Sequence, residues 1–198
     1  MSDLPRTLVC ASQHELDVRK SRFLAQAAPV ESRQQAQAFM DHVSDPAATH
    51  NCWAWRIGSD YRFNDDGEPG GTAGRPILQA IESQGIDRVV VVVTRWYGGI
   101  KLGAGGLARA YGGTAAECLR LAEQRPIIDM TRIATRCSFA ELELFKARLA
   151  ELDAEIEQGL YEADGVALQI RLPSTRLDEA RVRIADMSRG RSQVIVLD

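Results

Sequence analysis

The sequence predicts an α+β protein built as two domains, and three observations carry that prediction. An apolar β-branched run, Val89 to Val93, leads through a glycine-rich turn into a helical pattern. Regular patterning then breaks at Gln124 to Asp129, around Pro126. Beyond the break the elements follow the order β-α-β-β-α-β, that of a ferredoxin-like sandwich. The expected domains are therefore 1–126 and 127–198.

The first domain opens with two expected strands, near Thr7–Leu16 and Phe23–Val30. A helix is expected from about Arg33 to Val43. Ser32 with Gln35 makes a capping-box pattern, and Ala36, Phe39, Met40 and Val43 mark one face. His50 to Gly58 alternates as a strand, with Cys52, Ala54 and Arg56 opposite Trp53, Trp55 and Ile57. The Gly-, Pro- and Asp-dense segment Arg62 to Arg75 reads as a loop. Ile77 to Ser83 reads as helix. After the valine run, a long helix carries Leu107, Tyr111, Thr114, Cys118 and Ala122 on one face, until Pro126 stops it. Gly112 and Gly113 inside it point to close packing, most often against a sheet.

In the second domain Thr131 to Cys137 alternates as a strand. Ser138 with Glu141 forms a capping box before a helix that turns Leu142, Phe145, Leu149 and Leu152 inward. Strands near Glu155–Tyr161 and Val166–Leu172 join at an Asp164-Gly165 turn. Leu177, Ala180, Ile184 and Met187 line a second helix, and Gln193 to Leu197 closes as a strand.

Composition narrows the function classes. The chain has 198 residues, 45% of them hydrophobic and 26% charged, as in a soluble globular protein. A net charge of −3 argues against gripping nucleic acid by bulk positive charge, and leaves a local basic patch open. No apolar run approaches the roughly 20 residues of a membrane span. The opening MSDLPRTLVC lacks the basic and apolar regions of a secretory leader, so a cytoplasmic location is expected. Cys10, Cys52, Cys118 and Cys137 stand alone, without a CxxC pair, and read as reduced thiols.

The stretch RWYGGIKLGAGGLARAY, Arg95 to Tyr111, is the leading candidate surface. Amides at a helix start lack intrahelical partners and carry the positive end of the helix dipole. Amides near Gly103, Gly105 and Gly106, with Arg95, Lys101 and Arg109, would bind a phosphate or a nucleic-acid backbone. The same glycines equally serve a tight turn and a close helix–sheet approach. Neither a Walker A motif nor a spaced GxGxxG is present.

Asp65, Asp66 and Glu68 of the DDGEP loop could hold Mg²⁺ or a similar hard cation, bridging to a phosphate if the two loops meet. Asp-Asp-Gly is also ordinary turn chemistry. His50 could act as a general base beside these carboxylates, although a lone His at a strand start is more often a structural residue. Nothing in the sequence marks Cys52 as an activated thiol. Trp53, Trp55, Trp96 and Tyr97 would stack bases if exposed, although strand alternation puts only some of them on one face. The third C-terminal strand has no aromatic ring, so base stacking of the RNA-recognition type is not expected there. The Arg181, Arg183, Arg189 and Arg191 run reads as a solvated face balanced by Asp178, Glu179 and Asp186.

KSRF (Lys20 to Phe23), ATHNCWAW (Ala48 to Trp55), NDDGEPGGTAGRPIL (Asn64 to Leu78) and VVVTRWYGGIKLGAGGLARAY (Val91 to Tyr111) together resemble the YigZ/IMPACT family, in its bacterial branch. The resemblance covers most of residues 18–120. It implies a ribosomal-protein-S5-domain-2-like N-terminal domain and a C-terminal domain similar to domain V of elongation factor G. Eukaryotic members carry a further RWD domain and restrain a kinase that represses translation initiation. That role belongs to a eukaryotic pathway, so the implication for this chain narrows to a link with translation or RNA.

The resulting expectation is a non-enzymatic binding protein acting near translation. It would contact RNA or a ribosome-associated partner through the glycine turn. Two alternatives stand beside it: a phosphate-chemistry enzyme binding a nucleotide and a divalent metal, and a protein-interaction regulator. Convergent carboxylates and glycines would favour the enzyme, a continuous basic face nucleic acid, and a dry apolar patch a protein partner. Oligomeric state is not legible in the sequence.

Overall fold

The computed structural model describes residues 4–197; Met1 to Asp3, which open the stretch read for a leader, and Asp198 lie outside the described residues. The chain divides between Ile127 and Ile128 into two units, each with its own core.

The first unit runs β1 (Arg6–Leu8), β2 (Ser12–Val18), β3 (Ser21–Pro29), α1 (Arg33–Val43), β4 (His50–Ile57), β5 (Asp60–Asn64), α2 (Gly74–Ser83), β6 (Val89–Trp96), α3 (Ala104–Leu121) and β7 (Gln124–Pro126). Five strands make one antiparallel sheet in the order β2-β3-β6-β4-β5. Strand β6 is its centre, and Val89, Val91 and Val93 enter the core shared with α2 and α3. Val90 and Val92 enter the opposite core, beneath α1. Both faces of β6 are covered, which is why its sequence is unbroken valine instead of an alternating pattern. Each buried valine contributes about 1.5–3 kcal/mol relative to exposure.

Helix α1 begins at its expected residue. The Ser32 side chain accepts from the Gln35 amide at 3.2 Å. The Gln35 side chain reaches one residue further back than a standard box and accepts from the Glu31 amide at 2.7 Å. Ala36 and Met40 bury against the sheet with Trp55.

Four sequence expectations change in this unit. The first strand is interrupted at Val9 to Ala11, and its opening part, β1, pairs with β7 instead of joining the main sheet. Pro126 therefore does not stop the helix. Helix α3 ends at Leu121, and Pro126 sits at the end of a short strand paired with Arg6. Arg62 to Asn64, read as loop, belong to the exposed edge strand β5, which pairs only with β4. Gly112 faces helix α2, not a sheet: a Cβ there would lie 3.3 Å from Pro76 Cβ.

The second unit runs β8 (Met130–Cys137), α4 (Leu142–Ala150), β9 (Glu155–Glu162), β10 (Gly165–Pro173), a 3-10 turn at Ser174–Arg176, α5 (Leu177–Ser188) and β11 (Ile195–Leu197). Its antiparallel sheet has the order β11-β8-β10-β9, the ferredoxin-like arrangement. Phe145, Leu149, Leu168, Ile170, Ala180 and Ile184 are among its buried residues. The Glu141 carboxylate accepts from the Ser138 amide and hydroxyl at 3.1 and 2.7 Å. The β9–β10 turn consists of Ala163 and Asp164, and Gly165 is already strand. A Cβ on Gly165 would collide with the Cys137 carbonyl oxygen, so close strand approach, not turn conformation, requires that glycine.

Candidate functional site

Antiparallel pairing places His50 opposite Arg95, at the end of the sheet where β4 starts and β6 finishes. Paired residues share a face, so both side chains meet the DDGEP loop between β5 and α2. Arg95 is 5% exposed and Glu68 8%. Arg95 Nη1 donates to Glu68 Oε1 at 2.5 Å, and the Tyr111 hydroxyl from α3 donates to the same oxygen at 2.8 Å. His50 Nε2 lies 3.8 Å from it. Glu68 Oε2 accepts no hydrogen bond from the described residues.

The tautomer of His50 follows from its other nitrogen. Nδ1 lies 2.7 Å from the Asp66 carbonyl oxygen, which can only accept, so Nδ1 carries a proton. In the neutral ring Nε2 is left as the bare acceptor. Gly67 lets the loop wrap the imidazole: it has a φ of +84°, and a Cβ there would lie 3.6 Å from the ring.

Asp65 and Asp66 do not join Glu68 as metal ligands. The Asp65 carboxylate accepts from the amides of Gly71, Ala73 and Gly74 at 2.8 to 3.0 Å, and so caps α2 from eight to nine residues upstream. Burial alone would raise its pKa, but the amide donations from Gly71, Gly74 and Ala73 outweigh it and hold the group below its ordinary value. Asp66 accepts from the Asn51 amide at 2.6 Å. Glu68 is held by Arg95 and Tyr111. Among the described residues no group of three or more His, Cys, Asp or Glu is arranged to hold a metal ion. The Asp65–Asp66–Glu68 set, which the sequence left open between Mg²⁺ binding and turn chemistry, is thus divided between a helix cap, a loop clasp and a buried ion pair.

Cys52 donates to the Asp65 carbonyl oxygen at 3.0 Å, and burial pushes its thiol up to about 12. It is a neutral structural group. Burial also raises the Tyr111 phenol, which stays protonated as a donor.

His50, Glu68 and Arg95 open onto a cleft of about 440 Å³, whose other wall is the glycine turn. Lys101, Gly103 and Ala104 line that wall, with Leu102 and Leu107 giving it an apolar floor. Gly103 has a φ of +74°, where a side chain would be strained, and it leads directly into α3. No side chain caps the amide end of this 18-residue helix. Arg95 also brings an unusual donor: its buried Nε–H has no acceptor among the described residues. Tyr97 stands at the rim, 44% exposed, with the Arg95 guanidinium 5.2 Å from its ring centroid.

The proposed anion-binding residues are therefore split by the structure. Arg95, Lys101 and Gly103 share the cleft. Arg109 lines a separate hollow with Leu16, Val18 and Gly106, and Gly105 faces the Arg109 guanidinium. Helical geometry is the cause, since residues 105, 106 and 109 follow the turn of α3 away from the cleft. Trp55 is buried under α1 and Trp53 packs there, while Trp96 donates to Asp45, so Tyr97 alone of the four aromatics lines the cleft. Sequence reasoning missed the role of Tyr111. A tyrosine on an otherwise apolar helix face was the available signal, because a buried hydroxyl needs a partner.

In the second unit three arginines of the C-terminal run are paired with carboxylates. Arg181 meets Asp178, Arg183 meets Glu151 and Glu179, and Arg191 meets Glu141. No described helix is long and apolar enough to cross a membrane.

The fold is that of a two-domain α+β protein whose second domain is ferredoxin-like. Residues 19–119 match the "Impact N-terminal domain" and residues 135–191 the "Domain of unknown function (DUF1949)". The "IMPACT family member in pol 5'region" of Thermus thermophilus is 48% identical over 175 residues, which cover 88% of this chain and 97% of the relative. The Escherichia coli K12 "IMPACT family member YigZ" is 35% identical over 189 residues, 92% of each chain. A crystal structure described as that of a hypothetical protein superposes with a TM-score of 0.70 at 33% identity, covering 100% of this chain and 99% of the other. The chain belongs to the IMPACT family.

Proposed function

We propose that this chain is a translation-linked, non-enzymatic binding protein of the cytoplasm, and that its N-terminal domain takes an RNA phosphate in the cleft between the DDGEP loop and the start of α3. The observation that carries the reading is the uncapped amide end of α3 opening beside Lys101, in the cleft that Arg95 also lines. Oriented amides and a nearby cation suit one anionic group. The family resemblance supplies the link to translation.

Charge in the cleft sets the form of the test. Arg95 is neutralised by Glu68, which leaves Lys101 and the helix end as the attraction. Binding of single-stranded RNA, read by fluorescence anisotropy at two salt concentrations, should show a log–log slope near that of one neutralised phosphate, about −0.7. Lys101→Ala should weaken binding and flatten that slope. Absence of binding at low salt defeats the reading.

A second reading, phosphate chemistry, draws on His50 alone. Its fixed Nδ1–H leaves Nε2 as a proton acceptor in the same cleft.

A further inference from the structure

We infer that the cleft recognises a single ribonucleotide bearing a terminal phosphate, through three separate subsites. This rests on the phosphate reading above and goes beyond it, since it says what must be attached to the phosphate.

The cleft has one anion-seeking end, where α3 begins beside Lys101. The second feature that calls for a ligand is the Glu68 carboxylate, which lines the same cleft and is 8% exposed. A buried polar atom left unpaired is costly, and a polar ligand atom removes that cost. Glu68 spends Oε1 on Arg95 and Tyr111 and leaves Oε2 as an acceptor without a donor. Inorganic phosphate reaches that oxygen only with a P–OH of its own, which sets its negative charge against the carboxylate. A ligand carrying hydroxyl groups beside its phosphate donates there without bringing that charge.

The third subsite is apolar and flat. Tyr97 presents an exposed ring at the rim, backed on one side by the Arg95 guanidinium at 5.2 Å. Leu102 and Leu107 continue the apolar lining. An aromatic face of this kind is a stacking platform for a nucleobase. A volume of about 440 Å³ lies within the range of small-ligand sites, which suits one nucleotide better than a length of strand. Phosphate at the helix end, ribose hydroxyl at Glu68 and base on Tyr97 together describe a ribonucleotide. Both a free nucleoside 5′-monophosphate and the phosphorylated 5′ end of an RNA offer that chemistry.

Isothermal titration of the full chain with adenosine 5′-monophosphate, its 2′,3′-dideoxy analogue, inorganic phosphate and a 5′-phosphorylated RNA trinucleotide tests the inference. The monophosphate should bind more tightly than both inorganic phosphate and the dideoxy analogue. Tyr97→Ala should weaken it about tenfold, the lower part of the range for a lost stack, and Tyr97→Phe should restore it. A trinucleotide that binds at least as well as the monophosphate assigns the site to RNA ends; one that is excluded assigns it to free nucleotide. Equal affinity for monophosphate and inorganic phosphate, or indifference to Tyr97→Ala, overturns the inference while leaving the phosphate reading standing. No binding of any of the four probes removes both.

Discussion

Glu68 and Arg95, 27 residues apart in sequence, meet at 2.5 Å in the interior, each less than a tenth exposed. The pair brings the DDGEP loop down onto the end of β6, and Tyr111 adds a third element, α3, to the same carboxylate oxygen. A buried ion pair gains little over an apolar pair, because both charges have left water. Its consequence is positional: it holds the loop, and with it His50, against the mouth of the cleft.

Removing one partner should therefore cost far more than removing both. Glu68→Ala leaves the Arg95 charge buried and alone, an expected loss of about 3–5 kcal/mol in urea unfolding. Glu68→Ala combined with Arg95→Met should lose less than the sum of the two single changes. Strict additivity would mean that the contact does not hold the loop.

Tyr111→Phe isolates the third contact. Losing one hydrogen bond to a charged acceptor should cost about 1.5–3 kcal/mol, measured the same way. Burial raises the phenol's pKa, so this contribution should persist into alkaline solution.

Asp65 gives the fold an acid-sensitive point. Its folded pKa lies below the ordinary 3.8, so its contribution is complete above that value and fades as pH falls through the lowered folded one. Asp65→Asn should lose about 0.5–2 kcal/mol at neutral pH, the scale of a lost helix cap. The gap between wild type and variant should narrow below about pH 4. A gap that is constant with pH would remove the charge from the explanation.

These positions explain how much could be read from sequence. The valine run, the capping of α1 and the ferredoxin-like order depend on short-range periodicity, which survives in the sequence of one chain. The start of α2 three residues before Ile77 does not, because its cap is Asp65, eight to nine residues from the amides it serves. The site was legible as a set of residues, but not as a partition of roles. Asp65, Asp66 and Glu68 look equivalent in a DDGEP loop. Only the folded chain assigns the first to a helix end, the second to the Asn51 amide and the third to an arginine. Arg109 was grouped with Lys101 by proximity along the chain, and the rotation of α3 separates them.

Gly165→Ala tests the second unit by itself. The added methyl would strike the Cys137 carbonyl oxygen, and overpacking of this kind costs about 1–3 kcal/mol. Amide hydrogen exchange should loosen across β8 and β10 while the β6 amides keep their protection. Equal loosening of both sheets would show that the two units do not unfold separately.

His50→Asn separates binding from catalysis. The asparagine amide can still donate to the Asp66 carbonyl oxygen and keep the loop in place, but it offers no counterpart of Nε2. If the cleft only binds, affinity for 5′-phosphorylated RNA should stay within about threefold of wild type, less than a neutral hydrogen bond is worth. Neither protein should then release phosphate or cleave the strand. If the cleft carries out phosphate chemistry with His50 as its base, the wild type should turn the RNA over, and the variant should lose about 10²–10⁴ in rate. Turnover in the wild type that disappears in His50→Asn, with binding intact, would replace the binding-protein reading by the enzymatic one.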